Sequence, residues 1–112
     1  MKKHSNIPVF HHGMNHNHVM VSKELVESML DDFKNVPIID YTNNDVGEVI
    51  GFIGEATNID DEFVYADTYT FKDLDIVGFY NYEIIPEETH RDGEVIVIDK
   101  CKIATVSFDI GE

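Results

Sequence analysis

The sequence predicts an α+β domain. Its expected core is a curved antiparallel sheet or partly closed β-barrel of about six to seven strands, with one main α-helix at 23–34 covering an opening. Three observations predict it. Val26, Met29, Leu30 and Phe33 stand at i, i+3, i+4 and i+7, one apolar helical stripe. Residues Pro37 to Phe71 hold three apolar segments separated by two polar turns. Finally, Gly47, Gly51 and Gly54 recur inside a strand pattern, where glycine marks bulges, bends or close backbone approach.

Taken in order, residues 1–6 are polar and are expected to be a flexible lead-in to a single domain spanning 1–112. Ile7 to His11 reads as a short strand, and Pro8 suits its start or a sheet edge. A polar loop carries His11, His12, His16 and His18, and Val19-Met20-Val21 leads into the helix. Ser22 is a good N-cap, since its hydroxyl can accept from a free N–H of the first turn. Glu24 and Glu27 lie near the positive end of the helix dipole. Val36 is held extended by Pro37, which ends the helix. Pro37 to Tyr41 is a strand, and Asn43-Asn44-Asp45 form a turn, because Asn and Asp tolerate left-handed backbone. Val46 to Ala56 and Phe63 to Phe71 pair as a long hairpin across Asp60-Asp61. In the second strand Phe63, Tyr65, Asp67, Tyr69 and Phe71 share one face, and Val64, Ala66, Thr68 and Thr70 the other. Ile76 to Ile85 is a strand closed by Pro86. Glu87 to Gly93 reads as a loop, and Glu94 to Asp99 and Lys102 to Ile110 as the last strands. The helix stripe is expected to pack on Ile39, Ile50, Phe52 and Phe108.

At 112 residues the chain is long enough for a single core. No apolar run approaches the roughly 20 residues that a membrane span needs. The first residues lack a continuous apolar stretch and a small-residue cleavage site, so the expectation is a mature cytosolic protein. Cys101 is alone and cannot staple the fold; it reads as a small apolar residue. Asp and Glu number 22 against 8 Lys and Arg, a net charge of −14. Such a chain repels nucleic acid and acidic membranes, which argues against both as direct partners. The acids serve solubility, or they form a surface for a basic partner. Glu24, Glu27, Asp31 and Asp32 on the helix, with Asp60, Asp61 and Glu62 on the turn, are the candidate partner-binding residues.

Candidate chemistry is sparse. Four imidazoles within eight residues suit zinc or nickel, yet all lie on one loop with no cysteine near, and no native metal site is expected. The acidic turns offer oxygen ligands for calcium but lack the twelve-residue helix-loop-helix pattern. Residues 47–54 (GEVIGFIG) lack the Gly-Lys-Ser/Thr ending of a phosphate loop. Ser107 and His90 offer a nucleophile and a base, but Ser107 has no Gly-x-Ser-x-Gly setting. No cofactor is expected.

The order of segments resembles a known family. Pro8-Val9-Phe10 opens it, and a Ser-capped helix ends near Val36-Pro37-Ile38-Ile39. A polar turn precedes Val46-Gly47-Glu48-Val49-Ile50-Gly51. An acidic turn precedes Val64-Tyr65-Ala66-Asp67, and a late strand carries Ala104-Thr105-Val106-Ser107-Phe108. Across residues 7–110 this resembles the prohead (capsid maturation) proteases and related scaffold domains of tailed phages. The resemblance implies an assemblin-like β-barrel with flanking helices. It places the catalytic histidine near Asp40-Tyr41, where none stands, and the serine nucleophile at Ser107, which leaves little chain for a third catalytic group. It therefore implies a phage-encoded, non-catalytic protein acting by protein–protein contact in capsid assembly, in the cytoplasm of an infected bacterial host and in association with the virion. The alternative is an acidic, DNA-mimicking anti-defence inhibitor, of the anti-CRISPR kind, that blocks a nucleic-acid-binding host protein. An active serine protease is the third reading. Partner identity and oligomeric state are left open.

Overall fold

The computed structural model describes residues 1–42 and 46–111. The turn expected at Asn43-Asn44-Asp45 lies outside them. Eight strands are assigned among the described residues: β1 (Lys2–His11), β2 (Gly13–Met14), β3 (Val19–Val21), β4 (Pro37–Asp40), β5 (Glu48–Ile59), β6 (Phe63–Thr70), β7 (Asp75–Asp92) and β8 (Val95–Gly111). They form one sheet in the order β1-β6-β5-β4-β8-β3-β2, with β7 also paired to β8. Val106 of β8 has Tyr82 of β7 on one side and Ile38 of β4 on the other, so β7 takes one edge of β8 while β4 and β3 share the opposite edge. The sheet is mixed rather than antiparallel, because β3 and β4 both run parallel to β8.

The protein is mostly β, and the expectation of one main helix over 23–34 is corrected. Helix α1 covers only Lys23–Glu27, and a separate 3-10 turn covers Leu30–Phe33. Ser22 does cap α1, accepting from the Leu25 N–H. The break has a local cause. The Ser28 hydroxyl donates to the Leu25 carbonyl, competing with backbone partners, and Met29 leaves helical geometry at φ −114° and ψ 10°. A continuous helix would also carry Asp31 and Asp32 near its negative end, against the single base Lys34. The break instead puts both in the first turn of the 3-10 segment. The stripe still faces inward: Val26, Met29 and Phe33 are buried, and Leu30 is half-buried.

Two further expectations change. Residues 2–6 are not a loose lead-in but the start of β1, with Lys2, Lys3 and His4 in register with Thr70, Tyr69 and Thr68. Lys2 pairs with Asp73 and Asp75, and Lys3 with Asp67. Residues 87–92 are not a loop but the far half of β7, which runs straight through Pro86. Proline is tolerated there because β7 is an edge strand, and register shifts flank it on the side of Glu88. The chain reverses instead at Gly93-Glu94, with Gly93 at φ +62°.

The sheet curls into a half-barrel. On β6, Val64, Ala66, Thr68 and Thr70 face the core, and the aromatic face is the outer one. There Phe52 stacks on Tyr69 at 5.3 Å, so Phe52 covers the outside rather than meeting the helix stripe. Gly51 lies against β6 so closely that a Cβ would collide with the Tyr69 carbonyl oxygen, which is the close approach expected from its place in the sequence. Bulges follow at Ile53/Ala56 and Ala56/Asn58 and bend β5. The curl brings β1 towards β7. Phe10 stacks on Tyr82 at 4.0 Å and Phe63 meets Phe79 edge-on at 5.9 Å, but among the described residues no ladder joins the two strands. Val9, Phe10, Val21, Phe33, Ile38, Ile53 and Val106 fill the interior.

Candidate functional site

Because the barrel does not close, an open seam runs between β1 and β7. It forms a groove of about 690 Å³. Phe63 and His11 wall one side. Phe79, Tyr82, Ile84, Pro86 and Thr89 of β7 wall the other, with Ile96 and Ile98 of β8 below. Asn15, His16 and Asn17 from the turn after β2 rim one end. No Asp, Glu, Lys or Arg lines the groove, in a chain of net charge −14. Burial raises the Tyr82 hydroxyl above its ordinary value, so it stays a neutral donor. The sequence signal for this site is the stretch Ile76 to Tyr82, which is free of charge and carries three aromatics; by itself it predicts only a strand.

The histidine loop does not act as one unit. His12 is buried, its Nε2 bonded to the Asp60 carbonyl at 2.8 Å and its backbone N–H to Glu62. His11 packs edge-on against Phe63, while His16 and His18 are exposed. Among the described residues, no three His, Cys, Asp or Glu side chains are grouped to hold a metal ion.

The acidic candidates fall into two places. Lys23 reaches Asp61 at 3.3 Å, which sets the head of α1, with Glu24, beside the Asp60–Glu62 turn. Asp60 itself is committed to that turn. One carboxylate oxygen accepts from the Glu62 and Phe63 N–H groups, and the other from the Tyr65 hydroxyl, all at 2.8 Å. These bonds favour the charged form and lower its pKa to about 2, the Phe63 bond most. Asp61, Glu62, Glu24 and Glu27 are exposed. Asp31 and Asp32 lie apart from them on the 3-10 turn. Asp32 borders a second cleft of about 640 Å³, shared with Met29, Glu87, Lys100, Cys101 and Lys102. Burial raises the Cys101 thiol, and the Glu87 and Asp32 carboxylates add to it, so this cysteine is a protonated core residue.

Ser107 is 5% exposed and its hydroxyl donates to the Asn81 carbonyl at 3.2 Å. Ile39 is its register partner on β4, so Asp40 and Tyr41 follow close by, and Tyr41 and Ser107 line one small cleft. Thr42 takes up the Asp40 carboxylate through its N–H and its hydroxyl. His90 is engaged elsewhere, its Nδ1 2.7 Å from Asp99 on the outer hairpin. The serine hydroxyl is therefore directed at a backbone carbonyl rather than at His90. Among the described residues no helix is long and apolar enough to cross a membrane. In comparisons with known proteins, no family model, no curated protein and no solved structure matches the chain.

Proposed function

We propose that the chain is a non-catalytic binding domain that works by protein–protein contact. Following the sequence resemblance, we place it among relatives of the phage prohead protease and scaffold domains, in capsid assembly. The observation that carries the binding reading is the open seam, an aromatic groove without formal charge on an otherwise strongly acidic molecule. Ser107 supports the non-catalytic part, since its hydroxyl is turned to the Asn81 carbonyl. The test is co-purification with tailed-phage capsid and scaffolding proteins co-expressed with the chain. Binding is expected to persist in about 0.5 M salt, where exposed charges are screened over far less than the roughly 10 Å Debye length at 0.1 M. It should also persist when Asp31 and Asp32 are both changed to Lys.

A second reading, the acidic anti-defence inhibitor, is favoured by one contact. The Lys23–Asp61 pair gathers Glu24, Asp61 and Glu62 towards one side of the molecule. Binding to a nuclease or other DNA-handling protein, lost at high salt and in Asp61→Lys with Glu62→Lys, would replace the capsid reading with this one.

A further inference from the structure

The seam is flanked by two strands with unbonded edges. Among the described residues β7 pairs with β8 alone and β1 with β6 alone, so each has an edge without a strand partner; on β7 that edge offers its carbonyls and the N–H groups other than Pro86, which has none, and Tyr82, whose N–H donates to Asn81 Oδ1. The shape of the missing element follows from this: an extended segment, not a helix or a small molecule, can satisfy such a row. Its side chains follow from the floor. Phe63, Phe79, Tyr82, Ile84, Ile96 and Ile98 present apolar surface at a site free of Asp, Glu, Lys and Arg. Aromatic enrichment with loss of charge is the composition of an interface centre rather than of solvated surface. Its charged positions follow from the surroundings. Glu62 is next to Phe63, while Glu83 and Glu87 alternate along β7 with Tyr82, Ile84 and Pro86 and so turn to its other face, where Glu87 borders the second cleft; all three are exposed. Among the described residues none of the three forms an ion pair. A second copy of the chain is the wrong occupant, because two molecules of net charge −14 repel.

We infer that the seam takes an extended segment of a partner protein, with apolar residues facing the groove alternating with Lys or Arg opposite Glu83 and Glu87, added as a strand along β7. Tyr82 to Thr89 offers room for about six to eight residues of it at about 3.3 Å each. The inference rests on the binding-domain reading and names the surface and the chemistry of its ligand.

The test is to pan a random twelve-residue peptide library on the full chain. The expected peptides alternate apolar residues with Lys or Arg and lack central proline. They should bind about tenfold or more weakly to the His16→Lys, Thr89→Lys double variant, which sets two cations in the groove. Both positions are exposed, so the variant should keep the parent's thermal midpoint and circular dichroism. The best peptide should slow amide exchange within residues 82–89. Peptides that bind the double variant equally, or that protect other strands, overturn the seam while leaving a binding domain in place. Failure to enrich any peptide also overturns the seam, and the co-purification above then decides the broader reading.

Discussion

Thr68 sits on the core face of β6 with its hydroxyl oxygen unpartnered, while Thr70 two residues on donates to the Lys72 carbonyl. A buried hydroxyl without a partner carries its desolvation cost uncompensated. Thr68→Val keeps the shape and removes that cost, so it should stabilise the fold by about 1 kcal/mol, read as a higher urea midpoint at unchanged slope. Phe33 is the opposite case. It is fully buried and meets Phe10 edge-on at 5.5 Å. Phe33→Ala should cost about 3 to 5 kcal/mol by lost burial and a cavity. A loss below about 1 kcal/mol would mean that the 3-10 turn docks by another face. Ser107→Ala removes one partly buried hydrogen bond, so it should cost about 1 kcal/mol or less and leave binding intact. Labelling of Ser107 by a fluorophosphonate probe would show a reactive serine instead.

The β5–β6 hairpin was readable because three signals agree there: alternation, turn residues and spaced glycines. Its turn is held by Asp60, whose folded-state pKa of about 2 lies below its ordinary 3.8. The carboxylate form is therefore bound more tightly in the folded chain. Its stabilisation is full above pH 3.8 and is lost as pH falls from there to about 2. Urea midpoints measured over that window should fall less steeply in Asp60→Asn than in the parent; equal slopes would remove Asp60 from the acid limb. The apolar stripe of residues 26–33 speaks only of which face is buried, not of whether the helix is continuous. A 3-10 segment also presents Phe33 inward, so periodicity alone does not reveal the break at Ser28 and Met29. The outer half of β7 was missed for a different reason. Residues 87–92 (EETHRD) are exposed on both faces, and a strand without a buried face has no alternation to read. The signal that remained is Gly93 just ahead of the β-branched run Val95 to Ile98, a hairpin turn that reads as a loop end.

At the scale of the molecule, the seam escaped the sequence reading because it is made by distance in the chain. His11, Phe63, Phe79 and Ile96 come from four different strands, and no local pattern joins them. The acids show the same effect in reverse. Seven residues that read as one surface are divided by the break in the helix, with Asp32 left beside the Lys100–Lys102 cleft.

β8 touches β7, β4 and β3, and with β7 it is the last long strand to be synthesised. Its partners Val19 and Ile38 leave the ribosome some sixty to eighty residues before Ile96 and Val106 do, at positions fixed by the sequence. The early β3 and β4 must therefore wait with one edge unsatisfied. Pairings of such long range pay their loop-closure entropy before any reward, so the fold should form slowly, in the millisecond-to-second range. Its commitment point is the arrival of β8. A nascent chain stalled at Gly93 should be protease-sensitive throughout, including in β5 and β6. Release of residues 95–111 should then confer resistance on the whole domain in a single step.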